Sequence, residues 1–285
     1  MTANGGYRYF HGANVRRWAI PVATIGGLPI AVVDRAVSAQ LMIDVALHRR
    51  NTDQPPLIIS SANGQVLSLC ARQPQIRELF LQTDLIHADG MPLVFVSRLF
   101  HRTPLPERVC TTDFFHDVAR IAPQRGVRMF FLGGTNSAAA TATREVCNLY
   151  PDLEIAGHSG GYLRRDGDED RIVDIINAAQ PDILWLGLGA PLEQSFAVRN
   201  RDRLRGVGLI KTAGGLFDYL SGKNARAPRW AQRAGLEWAY RMYLEPGRLT
   251  GRYLTTNPHA LVPLLTQTSF SSASAIVCGG RSEDR

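Results

Sequence analysis

Apolar positions along this chain fall into short runs separated by stretches of helical spacing. Residues 56–61, 84–88, 127–132, 154–157, 182–186 and 208–210 are runs dominated by apolar residues, and 25–32 adds a short strand with a turn at Gly26-Gly27. Between them, apolar residues recur at helical intervals, as at Ala36, Leu41, Val45 and Leu47, and predict a helix over 34–49. Similar spacing predicts helices over 66–72, 75–82, 92–100, 113–122, 138–149, 169–179 and 192–204. Runs that do not alternate with polar residues belong to strands covered on both faces. The recurring strand-loop-helix order therefore predicts an α/β fold: a doubly wound, mostly parallel, Rossmann-like sheet over 25–224. Ligands bind such sheets beyond the carboxyl ends of the strands. Ser61, Asp89, Gly133-Gly134, Gly187-Leu188-Gly189 and Gly214-Gly215 all fall at such ends.

Outside that span the pattern is weaker. Residues 1–24 are expected to be a loose extension and 255–285, rich in Ser and Thr, a disordered tail. Residues 225–254 hold Arg226, Arg229, Arg233, Arg241, Arg248 and Arg252 against Glu237 and Glu245, interleaved with Trp and Tyr. That predicts a basic amphipathic helical appendage interrupted at Pro246-Gly247. The residues alone leave two readings equally open: a membrane-surface segment, or a helix pair with solvated arginines.

Composition narrows this only a little. The 285 residues are 45% hydrophobic with a net charge of +7, ordinary for a globular protein and compatible with an anionic partner. No apolar run is long enough to span a bilayer, so membrane contact is expected to be peripheral. Cys70, Cys110, Cys147 and Cys278 form no CxxC pair and read as reduced thiols. Asp166-Gly167-Asp168 resembles a metal-binding DxD, but it lies in a charged run before a helix, where acids are favoured anyway. No metal site and no nucleic-acid partner are expected.

The stretch richest in candidate chemistry is 214–230. Gly214-Gly215 lets backbone N–H groups approach a ligand, Phe217 offers a flat apolar face and Asp218 a polar one, and Lys223, Arg226 and Arg229 follow. Taken alone, composition favours an ordinary strand-loop-helix connection with Pro228 opening the next helix.

Several words in order change that. They are Ser60-Ser61-Ala62-Asn63, Asp89-Gly90, Pro104-Leu105-Pro106-Glu107-Arg108-Val109, Phe131-Leu132-Gly133-Gly134 and Gly187-Leu188-Gly189-Ala190-Pro191. The C-terminal series Gly214-Gly215-Leu216-Phe217-Asp218, Gly235-Leu236-Glu237-Trp238 and Glu245-Pro246-Gly247-Arg248-Leu249 completes them. Over about 25–253 the chain resembles the WecG/TagA/CpsF family of bacterial glycosyltransferases. The resemblance implies inverting, metal-independent transfer of a hexose-type sugar from a UDP-sugar to a polyprenyl-diphosphate-linked saccharide. It places such an enzyme in cell-surface polysaccharide synthesis, peripheral at the cytoplasmic face of the membrane, with the UDP-sugar as substrate and no cofactor. It implies Asp89 as general base and Ser61 as the site hydroxyl, with Asn63, Arg108 and Asp113 around the donor. Gly133, Gly134, Gly187, Gly189, Gly215, Phe217 and Asp218 would line the donor site, and Arg241 and Arg248 would close over the diphosphate. Two departures stand out: Glu193 where the family commonly has Gln, and Thr111 where it commonly has Gly. Glu193 is expected to meet sugar hydroxyls rather than phosphate.

Two other classes remain open at this point, together with the oligomeric state, a homo-oligomer included. A nicotinamide-dependent oxidoreductase would use the same type of sheet, but its GxGxxG is missing. A non-catalytic membrane-associated scaffold would keep the C-terminal segment without nucleotide affinity.

Overall fold

The computed structural model describes residues 8–12, 15–101, 104–161, 167–244, 246–269 and 274–278. Six parallel strands form the central sheet: β4 (Leu57–Ala62), β5 (Leu85–Ala88), β6 (Arg128–Gly133), β7 (Glu154–Ser159), β8 (Ile183–Gly187) and β9 (Leu209–Thr212). Their spatial order is β5-β4-β9-β8-β6-β7. Chain direction from β4 leads outward to β5, and from β6 outward to β7, on opposite sides. The crevice over β9 and β8 lies between these two excursions, where open α/β sheets place their ligands.

Successive residues of each strand serve opposite faces, as the two-residue period requires. Ile59, Phe131, Ile183, Trp185 and Leu209 join one core with α1 (Arg35–Arg49), α5 (Thr111–Ile121) and α6 (Asn136–Leu149). Ile58, Phe130, Leu132, Leu184, Leu186 and Ile210 join another with α7 (Asp168–Ala179) and α8 (Leu192–Arg199). This is why the strands read as apolar runs. Helix starts carry their own signals. Asp34 Oδ1 accepts from Val37 N at 2.7 Å, and Thr135 Oγ1 accepts from Ala138 N at 3.0 Å.

A second, antiparallel sheet of β1 (Arg8–Gly12), β2 (Val15–Ile25), β3 (Leu28–Ala31) and β10 (Ser274–Cys278) flanks this body. Of the expected loose N-terminal extension, residues 8–12 and 15–24 lie in strands β1 and β2, while residues 1–7 and 13–14 lie outside the described residues. Of the expected disordered tail, residues 255–266 belong to α12 (Pro246–Thr266) and 274–278 form β10, which pairs with β2 from Ser274↔Val22 to Cys278↔Trp18; residues 270–273 and 279–285 lie outside the described residues. Ala260 and Leu264 of α12 are buried with Ile25, Leu28, Val66, Leu67 and Leu93 in a third core, beside α2 (Gly64–Arg72) and α4 (Met91–Phe100). Gly27 N donates to Gln267 O at 2.9 Å, and Ser269 N to Thr24 O at 3.2 Å, closing the chain onto its own beginning. Helix α11 spans Glu237–Leu244, and Pro246 and Gly247, expected to interrupt a helix, are the first two residues of α12; residue 245 between the two helices lies outside the described residues.

Candidate active site

Asp89 directly follows β5, with its backbone N donating to Ala62 O at 2.8 Å. Its side chain does not cap α4; Gly90 is the N-cap and no side chain bonds there. Instead Thr111 Oγ1, at the start of α5, donates to Asp89 Oδ2 at 3.2 Å. Ser61 Oγ lies 3.3 Å from Thr111 Oγ1, and Lys211 Nζ donates to Ser61 Oγ at 2.7 Å and to Thr212 O at 2.9 Å. Register explains the gathering. Ser61 pairs with His87 across β4 and β5, and Lys211 lies between Ile59 and Trp185 on the neighbouring strands. Strand parity sends Ser61, His87 and Lys211 to the face covered by α1 and α5.

The electrostatics follow from burial. Lys211 is 0% exposed, and desolvation pulls its ammonium down to about 8, against the pull of Asp89, Glu193 and Cys110. Desolvation raises the Asp89 carboxyl above the usual range, while Lys211, a hydrogen bond from Cys110 and Arg108 oppose the rise and Glu237 adds to it. Beneath them His87 is fully buried and held well below its ordinary value, by desolvation first and Lys211 second; Ser38 Oγ lies 2.8 Å from its Nε2. Burial pushes the Cys110 thiol up to about 12, with the Asp89 charge next in weight.

A frame of ion pairs stands at the rim. Arg108 Nη1 donates to Glu237 Oε2 at 2.9 Å and its Nη2 to Gln232 Oε1 at 3.2 Å. Arg226 Nη2 donates to Asp113 Oδ2 at 3.0 Å and to Gln232 Oε1 at 2.8 Å. Asp113 is therefore an ion-pair partner and not a helix cap; the N-cap of α5 is Cys110. Asn63 Oδ1 caps α2 by accepting from Val66 N at 3.2 Å, and its Cβ lies where a Cβ on Gly90 would be 3.4 Å away. Arg241 stacks over Tyr219 at 5.6 Å from the ring centre. Arg248 belongs to α12, but its side chain lies outside the described residues.

The glycine ends form a ledge across the adjacent strands. A Cβ on Gly133 would sit 2.2 Å from Gly187 O, so the tips of β6 and β8 can approach this closely only without side chains. Gly134 N donates to Gly187 O at 3.2 Å. Around Gly189 and Gly215 the space is open. Asp218 is half-buried and takes an ion pair from Lys223 at 3.1 Å.

Two expectations are corrected here. Phe217 presents no face to a ligand: it is 1% exposed, packed against Phe131 with ring centres 5.3 Å apart, and a Cβ on Gly187 would collide with it. Glu193 does not face the crevice either. It is 5% exposed, and its Oε2 accepts from Gly189 N at 3.2 Å and from Gly214 N at 2.9 Å, bracing two loops of the ledge. Its neighbour Gln194 reaches Ser60 Oγ at 3.0 Å.

Sequence reasoning missed Lys211. A charged residue inside Leu209-Ile210-Lys211-Thr212, a run otherwise dominated by apolar residues, was the available signal, since lysine is rarely fully buried. Asp166 of the discounted DxD lies outside the described residues. Among the described residues, no three His, Cys, Asp or Glu side chains gather as a metal site would require.

Comparison with known proteins gives a family. The profile of the family described as "Glycosyl transferase WecG/TagA/CpsF family" matches residues 23–274. A Bacillus spizizenii protein is 33% identical over 190 residues, covering 67% of this chain and 72% of its own. One from Bacillus subtilis is 30% identical over 207 residues, covering 73% and 78%. One from Staphylococcus aureus is 24% identical over 216 residues, covering 76% and 83%. All three are named N-acetylglucosaminyldiphosphoundecaprenol N-acetyl-beta-D-mannosaminyltransferase.

Proposed function

The chain belongs to the glycosyl transferase WecG/TagA/CpsF family, and from that premise we propose that it moves a hexose-type sugar from a UDP-sugar to a polyprenyl-diphosphate-linked saccharide, with inversion. The observation that carries the reading is the placement of Asp89. Its carboxylate is partly buried at the carboxyl edge of the sheet, does not cap α4, and accepts from the buried Thr111 hydroxyl. In a single displacement the acceptor oxygen bonds to the anomeric carbon, the bond to UDP breaks, and Asp89 takes the acceptor proton. A carboxyl raised by desolvation is a stronger base than a free aspartate once ionised.

On the glycine ledge Gly134 N, Gly189 N and Gly214 N are already bonded to Gly187 O and Glu193, so the diphosphate would be met by the N–H of Gly215, where the space is open, together with arginine side chains. From β5 to β6 the crevice crosses four strand spacings, about 19 Å, so an extended nucleotide sugar can lie along it. Arg108 and Arg226, now in ion pairs, stand at the end nearer Asp89, where they can exchange partners for phosphate oxygens. Arg241 and Arg248 would add charge from the C-terminal helices. The relatives' name gives the acceptor class and an N-acetylmannosaminyl donor as the first to try.

No helix among the described residues is long and apolar enough to cross a membrane. Trp230 at 66% exposed and Tyr243 at 80% support a peripheral membrane contact, with the catalytic edge toward lipid-linked acceptor. The decisive assay is sugar transfer to a lipid-diphosphate acceptor with a panel of UDP-sugars. Asp89→Asn should lose about 10²–10⁴-fold in turnover. Turnover undiminished in that variant would reject Asp89 as base, and no transfer by the wild type with any donor would reject the whole reading.

A further inference from the structure

Lys211 has no role in the transfer as set out above, yet it is fully buried within two hydroxyls of Asp89. We propose that Lys211, Ser61 and Thr111 form a directed hydroxyl relay that orients Asp89 and holds it ionised, making Lys211 and Thr111 positioning residues for the reaction. This rests on the transferase reading.

The direction is fixed by chemistry. An ammonium only donates and an ionised carboxylate only accepts. Ser61 therefore accepts from Lys211 at 2.7 Å and turns its own proton to Thr111 at 3.3 Å; Thr111 then gives its proton to Asp89 Oδ2 at 3.2 Å. Both hydroxyl links are longer than the usual O–H···O of about 2.8 Å, which leaves room to tighten when substrate fills the crevice. Gly at position 111 would cut the path, so the departure that the sequence showed is the link that completes it.

Charge arithmetic around the relay favours Lys211 as its source. Asp89 faces Lys211, Cys110, Arg108 and Glu237. Arg108 is paired to Glu237 at 2.9 Å, and the neutral Cys110 thiol carries no charge. Lys211 faces Asp89, Glu193 and Cys110, with neutral His87 alongside, and Glu193 is already occupied by Gly189 N and Gly214 N. The ammonium and the Asp89 carboxylate thus hold each other charged through two shared hydroxyls. Serine and threonine at the centre of such a path pass on polarisation and fix the carboxylate's orientation.

The test is the pH profile of kcat/KM between pH 5 and 10 for wild type, Lys211→Met, Thr111→Val and Thr111→Ser. Lys211→Met and Thr111→Val should move the acid limb up by about one pH unit. They should lower kcat about ten-fold with donor KM little changed, and Thr111→Ser should restore the wild-type profile. Carbon-13 titration of the Asp89 carboxyl, which needs no substrate and applies to any variant that folds, reads the same coupling. If Lys211→Met and Thr111→Val leave the Asp89 titration and the acid limb unmoved, the relay is overturned. A wild type that transfers no sugar, but whose Asp89 titration shifts in those variants, overturns the transferase reading and keeps the relay.

Discussion

At the scale of single residues, the most consequential group is a buried ammonium. Lys211 titrates near 8 in the folded chain, against 10.5 as its ordinary value. Its folded value is the lower one, so between these pH values the unfolded chain binds more protons. Stability therefore rises with pH through that window, and the cost of the buried charge is fully present below about 8. Relative to Lys211→Met, wild type should gain roughly 3 kcal/mol on going from pH 7 to above pH 10.5, measured by urea denaturation at each pH. A flat difference between the two proteins would show that the lysine is not held in a desolvated site. Such a cost is tolerable where the group serves a purpose, which is why a strained or buried charge at a crevice invites a functional reading.

At the scale of elements, α12 shows how a partner overrides local preference. Pro258 and Pro263 lie inside it, each removing a backbone donor, and its sequence alone reads as a poor helix. It forms because Ala260 and Leu264 enter the core shared with α2 and the β2–β3 hairpin, and because Gly27 N bonds to Gln267 O at its end. Leu264→Ala should therefore cost about 2–5 kcal/mol in thermal or chemical denaturation, as for other fully buried leucines. Leu265→Ala, at a neighbouring exposed position, should cost little. Equal effects at both positions would show that α12 is not docked as described. Helices α10 (Arg229–Arg233) and α11 are tied to the site by a different chemistry, through Gln232 and Glu237 to Arg108 and Arg226. Ion pairs of this type can rearrange when phosphate competes for the guanidinium groups.

At the scale of the whole molecule, charge and exposed aromatics act together. With a net charge of +7 and Trp230, Leu236, Trp238, Tyr243 and Leu244 exposed on or beside α10 and α11, binding to a lipid surface should be both electrostatic and apolar. Sedimentation with vesicles should show binding to phosphatidylglycerol-containing bilayers that weakens as salt rises. Trp230→Ala with Tyr243→Ala should weaken it further at every salt concentration. Binding to neutral vesicles as tight as to anionic ones would reject the electrostatic part, and an unaffected double variant the apolar part.

The six-stranded sheet was legible because strands covered on both faces need apolar residues at every position, and a local run records that need directly. The positions of Ser61, Asp89 and the glycines at strand ends followed from the same runs, since chain order alone tells which end of a parallel strand is which. Other features depended on what lies next to a residue in space. Phe217 turned inward because Gly187 leaves room for its ring, and Glu193 became a brace because two glycine N–H groups from separate loops meet it. The tail found its structure on β2 and α2, far away in sequence. Lys211, Ser61 and Thr111 come from three different elements and Asp89 from the turn after β5, and the strand order β5-β4-β9 brings them within hydrogen-bond reach. A sequence specifies which groups are present and how they alternate; long-range pairing decides which of them meet, because that depends on contacts no local pattern encodes.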